Sequence, residues 1–301
     1  MYDKLKQGLE NIKDLDLKYN YPLKEFTSFK IGGAVDILAI PSTTAALKEI
    51  LSLIKQENIP VFILGKGSNI IVGDKGYRGI VIYTASLNKV NIKENIMIAE
   101  AGITLASLAN KALDAGLSGL EFASGIPGTL GGALYMNAGA YDGEMKDLIT
   151  EAVLYNYQGE ELKLQKDELD LSYRHSILQD KKLIAVQVKL LLKKGRKADI
   201  KEKMIDLNQR RKDKQPLEWP SAGSIFKRPT GYYSGPLIEG AGLKGLRVGD
   251  AEVSEKHAGF IINRGNATAA DIRELISKVQ EEVYRRNGVK LEVEPRFIGE
   301  F

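Results

Sequence analysis

The spacing of hydrophobic positions changes repeatedly along the chain, and each change marks an element. Beyond Pro41, Leu47, Ile50, Leu51 and Ile54 recur at helical spacing, with Ser42 or Thr43 placed to cap the helix. Short apolar runs at Val61–Leu64, Ile70–Val72 and 80–83 read as buried strands. Ile96–Glu100 predicts another strand. A helix from Thr104 follows, in which Leu105, Leu108, Ala109 and Ala112 share a face and Gly116 ends the element. Strands are expected at 152–157 and 183–192, then a helix centred on Ile200, Met204 and Leu207 that leads to a boundary at Pro216. Thr268, with Asp271 three residues on, predicts a capped helix striped by Ile272, Leu275, Ile276, Val279 and Val283 and stopped by Gly288. The last stretch, 291–298, reads as a strand.

Composition narrows the class. A chain of 301 residues suggests two or three domains, and 44% hydrophobic with 27% charged residues is ordinary for a folded protein. The first 18 residues alternate charged and apolar positions without a run of signal-peptide length, and no window reaches the roughly 18 uncharged residues of a bilayer span. A soluble, cytoplasmic protein with no membrane insertion is expected. Cysteine is absent, which removes disulfides, thiolate nucleophiles and iron–sulfur clusters. Only His175 and His257 are present, far apart, so no metal site is expected and any redox chemistry needs an organic cofactor. The net charge of +4 is modest. Basic residues crowd 193–214, but no aromatics interleave with them, so a solvated face is favoured there, with an anionic small substrate rather than nucleic acid as the specific alternative.

Two glycine-rich segments carry the candidate chemistry. Gly65-Lys66-Gly67-Ser68-Asn69 joins strand to strand, whereas a dinucleotide fingerprint joins strand to helix, and Ile70 stands where that fingerprint has its third glycine. Nor does Gly-Lys-Ser/Thr follow, as a Walker loop demands. A phosphate nest and an ordinary tight turn remain equally open. The second segment, 125–141, holds no charged residue; glycines at 125, 128, 131, 132 and 139, with Pro127 stiffening the turn and Asn137 able to bond backbone, suit a pocket around a large flat ligand.

Taken together, the motifs resemble the UDP-N-acetylenolpyruvoylglucosamine reductases of bacterial cell-wall synthesis. The likeness runs from Thr27-Ser28-Phe29-Lys30-Ile31-Gly32-Gly33 to Arg296-Phe297-Ile298-Gly299. Between them lie 64–69, Gly125-Ile126-Pro127-Gly128, Asn137-Ala138-Gly139-Ala140-Tyr141, Ser172-Tyr173-Arg174, Ala222-Gly223-Ser224-Ile225-Phe226-Lys227, 241–245 and Lys256-His257-Ala258-Gly259-Phe260. The resemblance implies an α+β fold: a two-subdomain FAD-binding region of the vanillyl-alcohol-oxidase (PCMH) type, followed by a C-terminal α+β substrate-binding domain. It places the cofactor region at 1–205, with subdomains of about 1–85 and 86–205, and the substrate domain at 206–301, whose last strand is a candidate to return to the first subdomain. The chain's length fits the family's shorter branch, which lacks an extra substrate-covering loop.

The same resemblance implies FAD as cofactor, NADPH as reductant and a UDP-sugar enolpyruvyl ether as substrate. Cofactor-binding candidates are Gly65, Lys66, Gly67, Ser68, Asn69 and Ile70 on the first segment. On the second they are Ser124, Gly125, Ile126, Pro127, Gly128, Thr129, Gly132, Asn137, Ala138 and Gly139. Hydride delivery to the terminal methylene leaves negative charge toward the carboxylate, so the reaction needs cationic or hydrogen-bond donors there and one acid. Arg174 matches the family's active-site arginine, Ser224 its proton donor and Glu294 its third catalytic residue. A carboxylate facing a developing anion repels it, so Glu294 is expected to have a raised pKa and act protonated. Glu292 is a rival, and Pro295 stands where the family usually has valine, which removes a backbone donor beside Glu294. Tyr173, Arg210, Lys214, Lys227 and Lys244 are the substrate-binding candidates, the four cations for the diphosphate. Two rival readings remain: a flavin-dependent sugar or alcohol oxidase of the same cofactor fold, and a non-catalytic nucleotide-binding module.

Overall fold

In the computed structural model the described residues are 2–55, 57 and 59–301. Contacts divide the chain into two units: Met1–Lys18, Ile37–Lys66 and Ile80–Arg210 form the first, and Tyr19–Asp36, Gly67–Gly79 and Arg211–Phe301 the second. Strands β1 (Leu15–Pro22), β2 (Ala34–Pro41), β5 (Tyr77–Tyr83) and β3 (Val61–Leu64) make a sheet in the order β1-β2-β5-β3. The β3–β5 pair is parallel, with Val61 opposite Ile80.

Within the first unit, an antiparallel five-stranded sheet has the order β12 (Glu161–Gln165), β11 (Ile149–Tyr155), β13 (Ile184–Leu191), β7 (Ile96–Glu100), β6 (Val90–Lys93). A smaller pair joins β8 (Leu117–Ser118) to β14 (Lys193–Lys194). Helices α3 (Leu105–Asp114), α4 (Leu130–Tyr135) and α6 (Lys197–Lys214) contribute Leu105, Leu108, Leu130, Leu134, Ile200 and Met204 to one core with Met97, Val188 and Leu190. A second core gathers α1 (Asp3–Glu10) and α2 (Thr44–Ile54) around Leu9, Leu47, Ile50, Ile80 and Ile82. Of the two candidate caps for α2, Thr43 takes the place, accepting from the amide of Ala46, and Thr104, where the next helix was expected to begin, caps α3 by accepting from that of Ser107, at 3.2 Å each.

The second unit has its own core, Phe29, Ile31, Ile71, Ile225, Phe226, Ile272, Leu275 and Ile276 among others. It lies under the sheet β15 (Ser221–Ser224), β18 (Phe260–Asn263), β17 (Ala251–Val253), β16 (Arg247–Val248), beside α7 (Ser234–Gly240) and α8 (Ala269–Asn287). The α8 capping box forms as predicted, and the Asp74 carboxylate adds to it by accepting from the amides of Ala269 at 2.8 Å and Ala270 at 3.0 Å. The C-terminal stretch departs from the expected strand. Only β19 (Arg296–Ile298) is a strand, parallel to β4 (Ile70–Val72), while Val293 bridges Phe226. The chain changes partner at Pro295, where the missing N–H leaves no donor to satisfy.

Candidate functional site

Within the first unit, Gly65 brings the start of the first glycine-rich segment against the second. Strand β3 ends at Leu64 and delivers Gly65 against Thr129; a Cβ at Gly65 would stand 2.5 Å from Thr129 Oγ1, so only glycine fits. Thr129 caps α4 through the Gly132 amide at 3.3 Å. Ser124 is buried, its hydroxyl donating to Glu121 O at 2.8 Å and accepting from Asn208 Nδ2 at 3.1 Å. Gly132, in contrast, is exposed, and a Cβ there would meet nothing closer than Thr129 Oγ1 at 3.5 Å. The uncharged segment thus splits into a packed part and an open one.

Arg174 sits in a loop of this unit between β12 and α5 (Ile177–Asp180), half-buried, with a left-handed φ of 57°. Its guanidinium lies 5.0 Å from the Tyr173 ring centroid. Asn137 lies below, buried, and precedes the hairpin β9 (Gly139–Ala140) to β10 (Gly143–Glu144), whose two turn residues, Tyr141 and Asp142, both have positive φ. The ammonium of Lys146, then the Asn137 amide and the charge of Arg174, hold the Glu144 carboxyl below the usual carboxylate range against the effect of burial. Beside Arg174, His175 Nε2 lies 3.3 Å from both Asp170 and Asp180, the one cluster of potential metal-ligating groups among the described residues. Arg210 pairs with Asp206 at 2.8 Å on α6, which does continue to Lys214, so the two cations lie one turn apart.

Ser224 and Glu294 are brought together in the second unit. Ser224 ends β15, its hydroxyl donating to Phe226 O at 3.2 Å, and Glu294 N donates to Ile225 O at 2.9 Å. Immediately beyond Pro295, Arg296 N donates to Asn69 O at 3.0 Å. The backbone at Glu294 is therefore fixed on both sides, whatever Pro295 lacks. The same bond sets Asn69 next to it. Gly67, at φ 61°, is packed so closely that a Cβ would stand 2.1 Å from Phe26 O. Ser28, which composition and motif spacing gave no separate role, ties this loop to the Ser224 strand: its amide donates to Gly67 O at 3.1 Å and its hydroxyl to Ser221 O at 2.7 Å.

Glu292, the rival to Glu294, forms an ion pair with Lys227, and the Lys227 amide donates to Glu292 O at 2.8 Å. A cavity of about 360 Å³ opens beside this pair, with Arg228, Tyr232 and Lys290 also in its wall. Lys244 bonds Glu239 at 2.7 Å. His257, part of the 256–260 motif but given no role by it, joins the site. Its Nδ1 accepts from Gly259 N at 3.1 Å, and a Cβ built on Gly259 would lie 3.6 Å from Ser224 Oγ. Burial, aided by the charges of Lys244 and Lys214, pushes its pKa down. A neutral imidazole accepting at Nδ1 carries its proton on Nε2.

The profile of the FAD binding domain matches residues 35–165, and that of the UDP-N-acetylenolpyruvoylglucosamine reductase C-terminal domain matches 215–298. A UDP-N-acetylenolpyruvoylglucosamine reductase of Caldanaerobacter subterraneus is 51% identical over 300 residues, covering 100% of this chain and 98% of its own length. The chain belongs to this reductase family. A reductase of the same name from Alkaliphilus oremlandii is 52% identical over 302 residues, at 99% coverage of both chains. The crystal structure of the Thermus caldophilus UDP-N-acetylenolpyruvylglucosamine reductase superposes with a TM-score of 0.81 at 36% identity, over 95% of this chain and 99% of that one. Glucooligosaccharide oxidase from Acremonium strictum, at 10% identity and a TM-score of 0.51 over 97% of this chain and 60% of that one, shares the fold alone. The chain is thus an oxidoreductase with an α+β fold that joins an FAD-binding domain to the family's C-terminal domain. Its residues fit a flavin dinucleotide: the bare Gly132 surface and the uncharged 125–141 segment suit an aromatic ligand, while Gly65 and Gly67 are glycines because Thr129 and Phe26 pack against them.

Proposed function

We propose that this chain catalyses the NADPH-dependent reduction of UDP-N-acetylglucosamine enolpyruvate to UDP-N-acetylmuramate, in the cytoplasm, with FAD held by residues 1–205 and the UDP-sugar by 206–301. Full-length identity of about one half to reductases of that name carries this reading. FAD, when bound, would supply the two-electron chemistry that links NADPH oxidation to reduction of the enolpyruvyl double bond.

The protein's residues handle charge and protons. The planar Arg174 guanidinium receives the substrate carboxylate as it gains enediolate charge. Ser224 gives its proton to the adjacent carbon, and its place beside the Glu294 backbone supports a relay in which Glu294 assists that transfer. Glu292, already bound to Lys227, is the weaker candidate for that role. Lys214, Lys227, Lys244 and Arg210, with Tyr173, bind the UDP-sugar. The glycines and backbone of 65–70 and 124–139 hold the cofactor.

Anaerobic stopped-flow spectroscopy of the purified yellow protein tests the whole. Flavin absorbance should bleach with NADPH and return on adding the enolpyruvyl substrate. Protein purified without flavin absorbance sinks the reading. Ser224→Ala should retain bleaching and lose the return by about 10²-fold or more, the scale of general-acid catalysis. A normal return in that variant removes Ser224 as donor.

A further inference from the structure

We infer that Asn137 and Gln179 are positioning residues for Arg174, holding its loop in the conformation the oxidative half-reaction uses. The inference rests on the role just assigned to Arg174. An arginine at φ 57° occupies a region that a side chain with a Cβ disfavours, so the surroundings must impose it. Three sets of bonds do so. Ser172 and His175 exchange backbone hydrogen bonds of 3.3 and 3.2 Å across the turn. Gln179 Nε2 donates both to Arg174 O at 3.0 Å and to Tyr135 O at 2.8 Å, and Ser176 Oγ donates to Tyr135 O at 2.9 Å, which pins the loop to the end of α4.

Asn137 supplies the third. It is 1% exposed, and its Nδ2 donates to Ser172 O and to Glu144 Oε2, each at 3.0 Å, while Oδ1 accepts from Lys146 N at 2.9 Å. Both amide hydrogens are therefore spent inside the protein. What remains is one acceptor lone pair, of no use toward a phosphate. The Asn137 side chain thus serves the Arg174 loop, while its backbone stays in the cofactor wall. It also fixes the Glu144 carboxylate, whose charge the Arg174 guanidinium feels. One buried amide holds the loop's backbone and an electrostatic neighbour of its arginine.

Gln179→Met removes the donor to Arg174 O at similar size. Asn137→Asp keeps the acceptor for Lys146 N and removes both donors. In rapid mixing, Gln179→Met should load FAD and be reduced by NADPH as the unmodified protein does, yet reoxidise on the enolpyruvyl substrate ~10-fold more slowly, in kcat more than KM; Asn137→Asp, normalised to bound flavin, should lose ~10²-fold, the penalty of a misplaced group. Combining Asn137→Asp with Arg174→Ala should cost no more than Arg174→Ala alone. If Arg174→Ala reoxidises normally, the assignment of Arg174 falls and the inference with it. If Arg174→Ala is slow while Gln179→Met and Asn137→Asp reoxidise normally, or lose flavin with no selective effect on that step, the positioning role alone is overturned.

Discussion

At the scale of single residues, close approach and charge decide most of what matters. Gly67→Ala forces a Cβ into Phe26 O at a left-handed dihedral, and should cost at least about 1–2 kcal/mol in urea denaturation, with larger loss if the loop cannot shift. His257 gives a pH signature of defined sign. Its folded pKa lies below the ordinary value of about 6.5, so the unfolded chain binds the proton more readily. Its contribution is intact above about pH 6.5 and is lost as pH falls through the interval between the unfolded and folded values. His257→Gln should flatten the stability profile in that interval; an unchanged slope there would show that the imidazole is not buried. For Glu294, replacement by Gln should be far milder than by Ala in substrate-driven flavin reoxidation if the group works as a hydrogen-bond donor. Equal damage argues for an ionised carboxylate.

Among elements, the clearest device is the start of α8. Thr268 and Asp271 close a capping box, and Asp74 adds a second carboxylate to the amides of Ala269 and Ala270. Thr268→Ala and Asp74→Ala should each destabilise by about 1 kcal/mol in denaturant titrations. Because the two groups serve neighbouring amides, the double variant should depart from additivity. The capping box was legible locally, since Thr and Asp three apart before an apolar stripe already define it. Asp74 was not, because it lies 195 residues away in sequence. The strand expected at 291–298 shows the same limit: an apolar run predicts extended chain, but only the partners, Phe226 before Pro295 and β4 after it, fix where a ladder forms.

For the whole molecule, the consequential pairing joins the end of the chain to its first quarter. β19 lies along β4, Gly73 N donates to Ile298 O at 2.9 Å and Glu300 N to Gly76 O at 2.8 Å. Removing residues 296–301 should release 70–76, seen as faster amide exchange there, and weaken flavin retention, since Asn69 loses its bond to Arg296. Unchanged exchange across 70–76 would mean that β4 is held by other contacts. The sequence by itself determined the helices with strong stripes and caps, the uncharged glycine-rich wall and, through ordered motifs, the reductase family, because each is written in local spacing. Tertiary structure alone decided that Gly65 must admit Thr129, that Ser224 stands beside Glu294, that Glu292 is taken by Lys227 and that Asn137 faces inward to the Arg174 loop. Those relations join residues far apart in sequence, and close packing and hydrogen-bond satisfaction select them only once the chain has folded.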